Sequence, residues 1–314
     1  MTKKLLLALM SVILLFPLVL AHAQDKDDDD DDDKPVLRAP TLRPGEKPAD
    51  EGFTCPYVKS YRRPEHFAGF TLRLVPGTRE PNDRCRATVT SPNGRVLTVA
   101  KDWALTVDKI SGADLNGDGK AELVIAGFSG GAHCCFTYTI VGLDGAARVI
   151  RRIDSHAALT FEKQADGTVL IRGVDSSLDY FLIPHPMAVV PQVVLKMQGD
   201  NLVDVSGQYP AQYDKLIEEA RAQLTSADLE KFRNSRYNDK LFTDQLPTVR
   251  LVLIVVENYL YSGREDQAWK ELDELWPTSD QNRVKALILE RRGRGLLTQL
   301  NASNIGPNSG EQRR

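Results

Sequence analysis

One stretch of this chain places oxygen ligands at a spacing suited to a hard cation: Asp114-Leu115-Asn116-Gly117-Asp118-Gly119-Lys120-Ala121-Glu122. Oxygen-bearing side chains stand at positions 1, 3, 5 and 9, and a glycine stands at position 6. Calcium takes roughly six to eight oxygens at about 2.3–2.6 Å, and a tight loop with alternate residues turned inward can supply them. Asp114, Asn116 and Asp118 would offer side-chain oxygens. Lys120 would offer its backbone carbonyl, with the ammonium turned outward. Glu122 would close the site directly or through water. Gly119 permits a bend that a residue with a Cβ adopts only at a cost. Such an ion would neutralise Asp114, Asp118 and Glu122 and pin two strands together. The competing reading is a turn whose Asp and Asn side chains are satisfied by their own backbone.

The residues after the loop separate it from an EF-hand. That motif needs a bidentate Glu at position 12, where this chain has Ile125 inside the apolar run Leu123-Val124-Ile125. A strand, not a helix, is expected to follow. Ile110–Ala126 therefore resembles the FG-GAP and VCBS-repeat families of exported bacterial and cell-surface proteins. Their hallmark is an Asp-x-Asn/Asp-x-Asp-Gly-x-x-Asp loop running into a hydrophobic strand. The resemblance implies a calcium ion held between strands of a propeller blade. This chain departs from the pattern with Glu122 in place of the last Asp. It also has a single copy of the loop, which does not support a complete seven-bladed propeller.

Gly127-Phe128-Ser129-Gly130-Gly131-Ala132-His133-Cys134-Cys135 comes next. A phosphate loop would continue into Lys-Ser/Thr and a helix, and both are missing. A Cys nucleophile with a His base is conceivable, but adjacent strand residues point to opposite faces. A zinc site needs further ligands, and His66, His156 and His185 show no ligand spacing. The structural reading is a tight loop with oxidised cysteines. Four cysteines, Cys55, Cys85, Cys134 and Cys135, allow three pairings: Cys55–Cys85 with Cys134–Cys135, or Cys55 and Cys85 each joined to one of the adjacent pair. No Ser/His/Asp signature and no identifiable pair of catalytic carboxylates is present. Trp103, Trp269 and Trp276 read as packing residues.

The elements that must position the loop come from hydrophobic period. Short strands are expected at Phe70–Val75, Arg86–Thr90, Arg95–Ala100, Glu122–Ala126, Cys134–Leu143, Arg148–Ile153, Leu159–Lys163, Thr168–Gly173, Tyr180–Ile183 and Gln192–Met197. Ser91-Pro92-Asn93-Gly94 marks a hairpin turn. After Tyr209-Pro210 the composition turns to helix formers, with helices expected at Ala211–Leu224, Asp228–Asn234, Val249–Tyr261, Glu265–Leu275 and from Ser279 to about Gln299. Asn258-Tyr259-Leu260-Tyr261-Ser262-Gly263, with Ala268, Leu272 and Leu275, resembles one tetratricopeptide helix pair, and Pro277 comes about three residues early for it. Such repeats normally need three or more copies. The expected fold is α+β in two parts: an antiparallel all-β unit, propeller-blade-like or sandwich-like, over 55–206, and a C-terminal α-helical bundle over 207–300.

The ends of the chain point to export. Lys3 and Lys4, the apolar run Leu5–Leu20 and Ala21-His22-Ala23 make the three parts of a cleavable signal peptide over 1–23, with Gln24 as the mature start. That run is 16 residues, short of the roughly 20 that span a bilayer. Residues 24–54 read as a disordered acidic and Pro-rich linker, and 301–314 as a polar tail carrying the sequon Asn301-Ala302-Ser303. The 314-residue chain carries a formal charge of −3. Without Lys3 and Lys4 it is −5, of which Asp25–Lys34 supplies −6, leaving the remainder near +1. No broad basic face results, which argues against nucleic acid or anionic lipid as the main partner. No later segment is long and apolar enough to span a membrane, so no stable membrane insertion is expected after cleavage. These readings converge on a periplasmic or extracellular, non-catalytic module. It would be stabilised by one calcium ion and would bind another protein or a cell-surface polymer. The alternative is an exported hydrolase with its site in the β part and structural calcium.

Overall fold

Leu123-Val124-Ile125-Ala126 is apolar at every residue, so a strand through it has to be covered on both faces. The computed structural model, which describes residues 64–78, 80–131, 135–235 and 245–300, meets that demand by stacking sheets. Three four-stranded antiparallel sheets are present, each a meander of consecutive strands. The first holds β1 (Glu65–Phe67), β2 (Phe70–Pro76), β3 (Cys85–Thr90) and β4 (Val96–Asp102). The second holds β5 (Ala104–Val107), β6 (Glu122–Phe128), β7 (Phe136–Asp144) and β8 (Ala146–Ser155). The third holds β9 (Thr160–Lys163), β10 (Val169–Val174), β11 (Gln192–Gln198) and β12 (Asn201–Asp204).

The second sheet is the middle layer. Leu123 and Ile125 of β6, with Val141 and Leu143 of β7, bury themselves against Leu72, Leu74, Ala87 and Val89 of the first sheet. On the opposite face Val124, Ala126, Tyr138, Ile140 and Ile153 join the core made with Phe161, Ile171, Val193 and Leu195 of the third sheet. Alternation from Leu123 to Ala126 thus sends each of these four residues to one core or the other. Tyr138 stitches the layers: its ring lies 5.7 Å from that of Phe161, and its hydroxyl accepts the Leu159 amide at 2.7 Å.

Five helices follow among the described residues: α1 (Pro210–Gln223), α2 (Ser226–Arg233), α3 (Leu246–Tyr261), α4 (Glu265–Leu275) and α5 (Gln281–Arg292). Thr225 caps α2, its hydroxyl accepting the Asp228 amide at 3.1 Å and donating to the Asp228 carboxylate at 2.6 Å. Gly263, at φ +77°, ends α3 in the left-handed region and opens the turn to α4. Val252, Leu253, Val256 and Leu260 of α3 belong to the same buried cluster as the second and third sheets. The described residues fall in one compact unit, Ala39–Arg314. The passage from strand to helix near residue 207 is therefore a change of element inside a shared core.

Two expectations differ from the structure. Tyr180–Ile183 forms no strand: Tyr180 and Leu182 sit at φ +54° and +58°, while Phe181 and Ile183 still insert into the core. The alternation there reflects burial of every second residue without a ladder partner. The last helix ends at Arg292, and its N-cap is Asp280 rather than Ser279. The signal peptide, the linker, Cys55 and the tail with Asn301 lie outside the described residues.

Candidate metal-binding loop

The loop 108–121 joins β5 to β6, and its first half is tied to β6. The Asp108 amide donates to the Val124 carbonyl at 2.9 Å, the Gly112 amide to the Glu122 carbonyl at 2.8 Å, and the Glu122 amide to the Ala113 carbonyl at 2.9 Å. Leu115 plugs the loop into the core, with 4% of its surface exposed. The Gly199 amide, from the β11–β12 turn, reaches the Asn116 carbonyl at 3.2 Å. Gly117 and Gly119 stand at φ +80° and +82°, so the two tight bends rest on residues that enter this region without strain.

All five residues singled out by spacing meet here. Asp114 accepts the Gly117 amide at 2.7 Å and the Gly119 amide at 2.8 Å, one on each oxygen. Asn116 Oδ1 accepts the Asp118 amide at 2.9 Å, and its Nδ2 donates to Asp118 at 3.2 Å. Asp118 Oδ1 accepts the Lys120 amide at 2.9 Å. The Lys120 ammonium leaves the loop and pairs with Asp144 at the end of β7. Glu122 is the innermost member, 1% exposed, and its Oε2 accepts the Leu115 amide at 2.7 Å.

The electrostatics of the loop are one-sided. Burial pushes the Glu122 carboxyl up to about 7, and the nearby charges of Asp118 and Asp114 add to the rise. Arg148 is held by Asp200 at 2.9 Å instead of by the loop. Each carboxylate oxygen has two lone pairs, so an amide bond does not exhaust it as a ligand. The donor set is all oxygen and suits a hard cation such as calcium. Among the described residues, no three His, Cys, Asp or Glu side chains are gathered as a metal cluster. The side chains are instead drawn onto the loop's own amides, as the competing turn reading requires.

The other candidates are more dispersed. Cys85 and Cys135 are not free thiols, so Cys135 is no nucleophile. His133 and Cys134 fall outside the described residues, and with Cys55 they leave the choice among the three pairings there. His66 faces Thr71 at 3.2 Å, and His156 is exposed. His185 faces Asp179 at 2.8 Å. Trp276 is 1% exposed, packed edge-on against Phe232, and Trp269 lies under Lys285 at 4.6 Å. Trp103 is half-buried beside Phe128. A surface cavity of about 540 Å³ opens between α2 and Thr278, lined by Glu230 and Arg233 among others.

Sequence reasoning missed two groupings. One is His185 with Asp179 and Tyr180. The other is the buried set Glu257, Asp175 and Tyr261, where the Tyr261 hydroxyl donates to Asp175 at 3.0 Å. The available signal for the second was a lone acid in the apolar run Val255-Val256-Glu257. No family model, curated protein or solved structure matches this chain.

Proposed function

We propose that this chain is an exported, non-catalytic binding module whose sheet stack is stabilised by one calcium ion in the Asp114–Glu122 loop. The observation that carries the reading is Glu122: a carboxyl buried at the root of the loop, beside two further acids, with the one lysine of the loop paired elsewhere. Asp114, Asn116, Asp118 and Glu122 would hold the ion by side-chain oxygens and Lys120 by its carbonyl. The ion would supply positive charge and fasten the loop to the start of β6. Resemblance of the loop to FG-GAP and VCBS repeats supports it, as do the four-stranded meanders, the connectivity of propeller blades. Export follows from the leader-like N-terminus. Among the described residues no helix is long and apolar enough to cross a membrane. The partner class is another protein or a cell-surface polymer.

The test is thermal unfolding of the protein from Gln24 onward, in EDTA and across a calcium series, beside an Asp114→Ala/Asp118→Ala variant. Extracellular calcium modules bind at roughly 10⁻⁴–10⁻³ M, so the series runs to tens of millimolar. A rise in Tm that the variant lacks supports the reading. Identical, flat series for both proteins reduce the loop to a turn and remove the leading argument.

A second reading, an exported hydrolase, is favoured by one arrangement. His185 Nδ1 lies 2.8 Å from both Asp179 oxygens, and the Tyr180 ring stacks on the imidazole at 5.0 Å. A carboxylate that orients an imidazole is half of a hydrolytic relay, and left-handed non-glycine backbone such as Tyr180 and Leu182 collects at functional sites. Turnover of chromogenic esters or glycosides that His185→Ala abolishes would favour this reading. A rate at the buffer background for the parent would end it.

A further inference from the structure

The most anomalous polar group in the described molecule is Glu257. It lies on α3, it is fully buried at 0% exposure, and neither of its carboxylate oxygens has a hydrogen-bond partner. Buried polar atoms without partners are few in folded proteins, and each asks for an explanation such as an unseen water or ion. Tyr261 is four residues on, so both side chains lie on the same face of the helix. That face meets the turn after β10. Asp175, also 0% exposed, occupies that turn. Its Oδ1 accepts the Ser177 amide at 3.0 Å and its Oδ2 accepts the Tyr261 hydroxyl at 3.0 Å. The Ser177 hydroxyl is buried beside the Tyr261 hydroxyl. A Cβ on Gly295 would fall 2.2 Å from Asp175, so the chain before the C-terminal turn closes tightly over this carboxylate.

Neither acid of this enclosure is ion-paired among the described residues. The cation that reaches the turn, Arg291, donates to the Ser177 and Asp179 carbonyls at 3.4 Å instead. The guanidinium of Arg292 lies on the Tyr261 ring, 5.4 Å from its centre, and leans toward Glu265 at 3.9 Å. Burial and the like charge of Asp175 both oppose an ionised Glu257. A proton on Glu257 would cancel one charge, whereas a cation would also be held by its orphaned oxygens. The orphaned atoms of Glu257 are oxygens, and Asp175 and Tyr261 add further oxygens to the set. That is the donor chemistry of a hard ion, and it disfavours zinc or copper, which take nitrogen or sulfur.

We propose that Glu257, Asp175, Ser177 and Tyr261 enclose a second site, for a hard, oxygen-coordinating cation, between α3 and the turn after β10. It is independent of the loop at Asp114–Glu122. The ion would lock the helical layer to the third sheet.

The test removes the loop first. The Asp114→Ala/Asp118→Ala protein is dialysed against chelator and melted in calcium, sodium or potassium chloride, each beside choline chloride at equal ionic strength. One of the three ions is expected to raise Tm by a few degrees in a saturable way. That increment is expected to vanish when Glu257→Gln is added. No ion exceeding choline overturns the proposal, and so does an increment that survives Glu257→Gln. If the loop variant does not fold, Glu122→Gln replaces it. If Glu257→Gln does not fold, Ser177→Ala replaces it and is expected to move the midpoint of the ion titration to higher concentration; an unmoved midpoint overturns the proposal. Failure of the loop reading is seen separately, as parent and loop variant responding alike to calcium.

Discussion

Replacing Glu122 by glutamine separates the charge of this side chain from its shape. Glutamine keeps an oxygen for the Leu115 amide, 2.7 Å away, and fills the same buried space. In the ion-free protein, burial first and then Asp118 and Asp114 lift the carboxyl from 4.5 to about 7. The folded state therefore keeps a proton that the unfolded chain releases near pH 4.5. Stability present below that pH is lost as pH rises through this window, and the loss is complete above about pH 7. With about 1.4 kcal/mol per pH unit, the rise from 4.5 to about 7 amounts to a cost of about 3 kcal/mol in the ionised range. Glu122→Gln removes the cost. In EDTA at pH 8 the variant is expected to be more stable than the parent by up to about 3 kcal/mol, or roughly 5–10 °C in Tm for a domain of this size. At pH 4 the two proteins should nearly coincide. In calcium the order reverses, because the ion compensates the charge of Glu122 in the parent and the variant has lost a ligand. The assay is calorimetric or denaturant unfolding at unit steps from pH 4 to 8, with EDTA and with calcium. A parent-minus-variant difference that stays flat across this range in EDTA would refute the argument from burial. A variant that keeps the parent's full calcium response would show that Glu122 is not a ligand.

Further outcomes follow from neighbouring contacts. Leu115→Ala empties the plug that seats the loop, 4% exposed in the parent, and should cost about 2–5 kcal/mol in urea unfolding while weakening the calcium response. Lys120→Ala should leave the calcium midpoint within about twofold, because an exposed ion pair with Asp144 contributes little and the proposed ligand is the Lys120 carbonyl, which alanine retains. Gly127→Ala would set a Cβ 2.4 Å from both the Asp102 carboxylate and the Thr137 hydroxyl. It should destabilise by about 1–3 kcal/mol, read as a lower denaturant midpoint. Tyr138→Phe deletes the hydroxyl that the Leu159 amide donates to at 2.7 Å and should cost about 1–3 kcal/mol, measured the same way.

Local chemistry made much of this molecule legible in the sequence. The loop was readable because a hard cation, or an Asx-type turn, imposes spacing on residues only a few positions apart, and the side chains of Asp114, Asn116 and Asp118 bind amides of that same short loop. The apolar run from Leu123 announced a strand covered on both sides. Period 3.6 and the glycine at position 263 bounded the helices, with Glu265–Leu275 matching to the residue. What the sequence left open depends on contacts between distant segments. Pattern could not say that Leu123 and Val124, side by side, would serve two different cores. Nor could it say that α3 would share its core with the sheets. Tyr180–Ile183 alternates like a strand, yet it lacks a neighbour to complete a ladder, and pairing is a property of two segments. Glu257 looked like an acid in an apolar helix. Its significance appeared only when folding brought it under the charge of Asp175, 82 positions earlier in the chain, with no ion-pair partner. Spacing along a chain encodes turns, periods and ligand sets, whereas burial and charge balance belong to surfaces that exist only once the chain has closed on itself.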